Sequence, residues 1–291
     1  LYDYLKELGY TPPPLDRQGL RDLVAYMQAN GLTRIEPRSE AVEAWTQHVL
    51  DGVEKLLFSK VNSWFKRLAQ LDNNDWRPPA LWALRTHADD PHWLDDFFRA
   101  LERLASSMLL RRVYATPRSQ RYADLLRELA DGKGLDSPSF LLSDVEKAET
   151  VKRLGGEIYL VSKVRKYVLL RLDEVLAKNP GVSYDHPLIT VEHVLPQTPQ
   201  ADSLWTKTFT DDERLHWTHR LGNLVLLNRA KNSEAQNFDF EKKKVKYFSG
   251  SNGVATFALT SQVLSHHEWT PAILERRQDE LMDALRTEWA L

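Results

Sequence analysis

Apolar residues recur at helical spacing through most of the first 180 positions, which commits that part of the chain to packed helices. The longest run is PHWLDDFFRALERLASSMLLRRVY, residues 91–114. RQGLRDLVAYMQANG, EAVEAWTQHVLDGVEKLL and VNSWFKRLAQL precede it with the same spacing, the first stopped by Gly31. Pro117 and Ser119 introduce SQRYADLLRELADG, and turn residues from Gly132 to Ser139 interrupt the pattern. One further helical stretch, roughly 145–178, ends at Asn179-Pro180-Gly181.

Beyond that point the texture changes. LITVEHV reads as a short strand, and NLVLL as a second that can pair with it. AKNSEAQN opens a helix, and Phe238, Phe240, Val245, Tyr247 and Phe248 supply the apolar side of the next one. Thr270 as N-cap and Pro271 at the first helical position start a helix that runs to the terminus through ILERRQDELMDALRTEWAL. The chain therefore divides near residue 180, with the smaller part leaning on the helix before it. Counting that helix with the second part gives a helical connecting domain over 1–144 and a strand-plus-helix domain over 145–291.

Composition excludes several classes. With 42% apolar and 27% charged residues, the chain is that of a folded protein rather than a disordered one. Cysteine is absent, which rules out a disulfide framework and a cysteine-based zinc site. No apolar run reaches membrane-spanning length and LYDYLKELGY lacks the features of a secretion signal, so the expected setting is cytoplasmic. The first residue is Leu rather than Met, as expected of a fragment of a longer protein. The nine tryptophans are scattered and read as core anchors rather than a base-stacking platform. No Walker loop, dinucleotide fingerprint or internal repeat occurs.

The net charge of −2 argues against a general nucleic-acid binder, but its distribution points the other way. Between Arg214 and Lys246 lie eight cations, among them Arg220, Lys231, Lys242 and Lys243, against only Glu234, Asp239 and Glu241. Positive charge is thus concentrated where a polyanion would be held. An ordinary solvated helix face is the plainer account of the KKKVK run alone.

That basic segment surrounds a chemical pattern. Glu192-His193 stands ahead of Pro196, then Gly222-Asn223, then Asn232 nine positions after Asn223. Phosphodiester hydrolysis needs a deprotonated water in line with phosphorus and positive charge on the phosphate oxygens. A histidine can take the water's proton. A divalent ion such as Mg²⁺ takes oxygen ligands from a carboxylate, an asparagine carbonyl, waters and the phosphate. Glu192 and His193 are neighbours on a strand, so their side chains point to opposite faces unless the strand ends or twists there. Pro196 keeps Leu195 extended. The Asn223 amide can bond the loop that carries His193 or orient its imidazole. Asn232 falls on the next helix, where its carbonyl can face Glu192 across a metal.

VEHVLPQ, HRLGNLVLLN, AKNSEAQNFDF, EKKKVKYF and ILERRQDELMDALRTEW together resemble the C-terminal HNH nuclease domain of GmrSD-type restriction enzymes, part of the wider His-Me finger (ββα-metal) superfamily. The resemblance covers about residues 150–291. It implies a mainly α chain: a helical domain followed by a small ββα-metal domain embedded in helices. It implies His193 as general base, Asn223 as organiser of the site, and Glu192 and Asn232 as ligands of Mg²⁺ or Mn²⁺. His219, Arg220, Lys231, Lys242 and Lys243 are then candidates for DNA phosphate contacts, which position DNA without choosing its sequence. The last motif residue is Asn where the plainest pattern has His, which favours a hard ion.

The implied activity is metal-dependent endonucleolytic cleavage of phage or foreign double-stranded DNA, including modified DNA, one strand at a time, within a restriction or anti-phage defence system. The rival expectation is a catalytically silent DNA-binding or assembly module of such a system. Family members carry an N-terminal nucleotide-hydrolysing domain with a DGQQR-type motif that is missing from this sequence, so such a domain is an expected partner, and a second copy of the chain is another. WFKRLAQLD, FFRALERL and RYADLLREL resemble the helical connecting region. Residues 21–64 also resemble the C-terminal part of flavin-dependent Baeyer–Villiger monooxygenases, but no glycine-rich cofactor loop accompanies them, and shared helix and tryptophan spacing accounts for the likeness. His216, like His219, reads either as a phosphate contact or support of the site or as a hydrogen-bonded structural residue, whereas Asp185-His186 and His266-His267 read better as turn or structural residues than as ligands.

Overall fold

The computed structural model describes residues 61–177, 188–228, 237–248 and 257–291. The two helices expected over 17–31 and 40–57, most of the monooxygenase-like stretch, and Lys231 and Asn232 with the helix expected to carry them lie outside the described residues. Residues 61–68 are helical, and five longer helices follow: α1 (Arg77–Thr86), α2 (Pro91–Leu110), α3 (Ala115–Ala130), α4 (Asp144–Leu154) and α5 (Ser162–Ala177). Then follow β1 (Thr190–His193), the short α6 (Leu204–Thr208) and α7 (Asp211–Trp217), β2 (Leu224–Leu227), α8 (Phe240–Lys243), α9 (Ala258–Leu264) and α10 (Pro271–Trp289). All fall in one compact unit, Ser63–Leu291. The fold is mainly helical, with a two-stranded antiparallel sheet embedded among the C-terminal helices.

The helix ends have local causes. Asp90 caps α2 by accepting the Trp93 N–H, with Pro91 at the first position, and the helix buries Leu94, Phe97, Phe98, Leu101 and Leu104. Ser143 and Glu146 form a reciprocal capping box on α4. Thr270 caps α10 as expected. Three expectations need correction. The stretch 145–178 is two helices, because Gly155-Gly156 end α4 and a 3₁₀ turn at Ile158–Leu160 reorients the chain before α5. α3 begins at Ala115, ahead of Pro117, which sits in the first turn where its missing N–H is not needed. After α8 the chain widens into a π turn, Lys244–Phe248, which carries Val245 out to 72% exposure while Phe240 and Phe248 stay buried.

α5 packs against both strands, α9 and α10. At its core end a buried ionic cluster links separate helices. Arg67 bonds Glu174 at 2.7 Å, Arg171 pairs with Glu174, Glu102 and Glu288, and Tyr167 and the Trp289 indole donate to Glu102. Each buried charge thereby has an opposite partner, the condition for leaving water. Trp64, Trp76, Trp205, Trp269 and Trp289 are all buried, as core anchors should be. No helix among the described residues is long and apolar enough to cross a membrane.

Candidate active site

The site is built on the end of β1. Thr190, Val191, Glu192 and His193 pair with Leu227, Leu226, Val225 and Leu224 of β2. All four β2 residues are buried. Past His193 the ladder is extended by the Val194 N–H, which donates to the Asn223 carbonyl at 2.9 Å. Leu195, in the bend that follows the strand, then meets the Asn223 side chain. Oδ1 of Asn223 accepts the Leu195 N–H at 2.7 Å, and Nδ2 donates to the carbonyls of Leu195 (2.9 Å) and Thr218 (3.0 Å). Asn223 is 0% exposed. Of the two tasks its amide could perform, these bonds serve the loop that carries His193.

The 3₁₀ turn Leu221–Asn223 is gripped by α10. Gln278 accepts the Gly222 N–H at 2.7 Å, and the Arg277 guanidinium donates to the carbonyls of Gly222, Leu224 and Leu259. A Cβ on Gly222 would lie 2.9 Å from the Leu274 carbonyl oxygen, so only glycine allows the helix this close. Burial pushes Arg277 down to about 9, opposed by Glu280. Sequence reasoning missed Arg277 and Gln278. Their signal was position: both fall on the apolar stripe of α10, with Ile273, Leu274, Leu281, Met282 and Leu285.

The His193 ring is buried but polar on both sides. Its Nε2 lies 3.3 Å from Nδ1 of His219, and its Nδ1 lies 3.3 Å from Nε2 of Gln197. The Tyr159 ring lies 4.0 Å from the His193 ring and stacks on His219 at 5.5 Å and 16°, while Tyr159 N–H donates to the His219 carbonyl at 3.1 Å. Arg165 covers the same tyrosine ring at 4.5 Å and donates to its carbonyl. Burial holds the half-buried His219 below the usual histidine range, with Glu157 opposing. Tyr159, Arg165 and Gln197 were not anticipated; Tyr159 comes from the 3₁₀ turn between α4 and α5 and Arg165 from the first turn of α5, both remote in sequence from the motif.

The expected phosphate contacts separate in space. Lys243 is 1% exposed and donates to the carbonyls of His193 (3.0 Å) and Val194 (2.8 Å), so it braces the strand end from inside instead of standing at the surface. Burial pushes its ammonium from the ordinary 10.5 to about 7, and Glu192 pulls it back up. Lys242, one position earlier, is exposed with its ammonium 3.9 Å from the Phe238 ring. Arg220 is half-buried and donates to the carbonyls of His216 and Gly155. Glu192 is buried beside the sheet.

Among the described residues no three His, Asp or Glu side chains converge as a metal shell. A hard ion such as Mg²⁺ needs only one or two protein oxygens and fills the rest of its shell with water and phosphate. The buried Glu192 carboxylate on β1 fits that donor chemistry.

Residues 147–284 match the family model described as GmrSD restriction endonucleases, C-terminal domain. This region belongs to that family. The match spans most of α4 through most of α10 and so contains Glu192, His193, His219, Asn223 and Lys243. It likewise takes in Arg277 and Gln278, the α10 residues that hold the Leu221–Asn223 turn. Comparison with curated proteins finds no match to the chain.

Proposed function

We propose that this chain carries the cleavage centre of a metal-dependent DNA endonuclease, the effector part of a restriction or anti-phage defence system acting on phage or foreign DNA. The observation that supports the reading most is the placing of His193 at the end of β1, next to the buried Glu192, on a loop clasped by the amide of Asn223. His193 takes the proton of the attacking water. Glu192, with Asn232, would hold Mg²⁺ or Mn²⁺, which supplies charge neutralisation at the phosphate oxygens. Asn223 fixes the loop so that imidazole and carboxylate keep their relative directions. Lys242 and other surface cations hold the DNA backbone without reading bases. One centre per chain cuts one strand, so nicks are the expected product.

Supercoiled-plasmid cleavage with Mg²⁺ or Mn²⁺ tests this, with H193A beside wild type and each repeated with EDTA. Nicked plasmid from wild type alone, lost with EDTA, is the expected result. Intact plasmid in every lane despite DNA binding would instead support a silent DNA-binding or assembly module.

A further inference from the structure

We propose that Arg165 is a catalytic residue of this centre, the guanidinium that grips the phosphate undergoing cleavage. The inference rests on the endonuclease reading and adds the cation that the phosphate requires. Hydrolysis needs positive charge on the phosphate oxygens, and two of the cations expected from the sequence are committed elsewhere. Lys243 is enclosed and bonds the carbonyls of His193 and Val194, and Arg220 holds the carbonyls of His216 and Gly155.

Arg165 is placed differently. Its guanidinium covers the Tyr159 ring at 4.5 Å, and that ring lies 4.0 Å from the His193 ring and stacks on His219. One hydrogen bond, from Nη1 to the Tyr159 carbonyl at 3.0 Å, accounts for a single one of its five N–H groups. Among the described residues it has no ion pair, whereas Arg67, Arg111, Arg118 and Arg171 each face a carboxylate. Helix stability does not explain the charge either. The first turn of α5 carries Lys163 and Arg165 and no acidic residue, at the end where the helix dipole disfavours cations. Lys163 is offset by Asp72 at 3.2 Å, and Arg165 has no such counterpart. Stacking on an aromatic face fixes the plane of a guanidinium and leaves its edge for phosphate oxygens, which the fork matches two at a time. Arg165 neither gives nor takes a proton in this role; it balances the charge that builds on the oxygens not bonded to carbon.

R165Q and R165K separate charge from support. Gln keeps an N–H donor for the Tyr159 carbonyl without a charge, and Lys keeps the charge without the fork. Binding of a DNA duplex in EDTA, read by fluorescence anisotropy at several salt concentrations, needs no cleavage. R165Q should lower the slope of log affinity against log salt by about 1, and R165K should keep it. R127A, which removes a cation of α3 paired with Asp124, should match wild type. In plasmid nicking with Mg²⁺, R165Q should lower kcat about 100-fold, a larger effect than on KM, and R165K should recover only part of that loss. A wild-type salt slope in R165Q would overturn the proposal and leave Arg165 as support for the Tyr159 turn. A raised KM with unchanged kcat would move the contact to a neighbouring phosphate and equally overturn it. R165K carries the test should R165Q fail to fold, because a wild-type kcat in R165K would remove the need for the fork and sink the proposal. If wild-type protein nicks no plasmid, the nuclease reading falls by itself, and the salt slope still decides whether Arg165 meets a phosphate.

Discussion

Asn223 closes its side-chain amide on both backbone groups of Leu195, accepting the N–H at 2.7 Å and donating to the carbonyl at 2.9 Å. The amide thus imitates one more residue of strand, just where β1 has run out of ladder. His193 lies two residues before this clasp and Pro196 one residue after it, so the clasp fixes the bend by which the chain leaves the strand.

Replacing Asn223 tests the clasp. N223A leaves the Leu195 N–H and two carbonyls buried without partners, at a cost of about 3 kcal/mol. N223D keeps an acceptor but loses both donors and buries a charge, so it should be at least as damaging. Urea unfolding measures both, and a loss under about 1 kcal/mol for N223A would disprove the clasp.

Gly222 offers a steric test at the opposite side of the same turn. The Leu274 carbonyl belongs to a helix backbone and cannot swing away, so G222A should cost about 1–3 kcal/mol. Thermal unfolding of G222A next to wild type reads this directly.

Lys243 makes stability depend on pH. Its folded value of about 7 lies below the ordinary 10.5, so between those limits the unfolded chain binds the extra proton. Its contribution to stability is therefore fully present above about pH 10.5 and lost as pH falls through about 7. K243M has no such group, and the stability difference between wild type and K243M should move in favour of wild type from pH 7 to pH 9.5. A difference that stays flat across that range would place the ammonium in water.

Lys242 carries the prediction for binding. Its ammonium is exposed, so K242A should weaken DNA binding alike for all sequences and reduce the slope of log affinity against log salt by about 1. Fluorescence anisotropy with two unrelated duplexes at several salt concentrations measures it. A loss confined to one sequence would make the contact base-specific.

Much of the architecture was legible locally. α2 and α10 follow from apolar spacing with a cap and a proline at one end, and the strand pair follows from two short apolar runs around Glu192-His193 and Asn223. These features depend on neighbours a few positions apart, which a linear pattern records. The break of 145–178 was visible in Gly155-Gly156 but masked by apolar spacing on both sides.

Tertiary packing alone decided which polar residues turn inward. In Lys242-Lys243-Lys244, neighbours on a helix point about 100° apart, and only docking against β1 selects Lys243 for the interior while Lys242 remains in water. His219, Tyr159 and His193 are scattered over the sequence and meet because α4, α5 and the sheet pack together. Arg277 likewise lies more than fifty residues from the turn whose carbonyls it satisfies. Local sequence carries the period, caps and turns of each element, whereas partners for buried charges are set by the desolvation each would otherwise suffer, and that cost arises only once the elements close on one another.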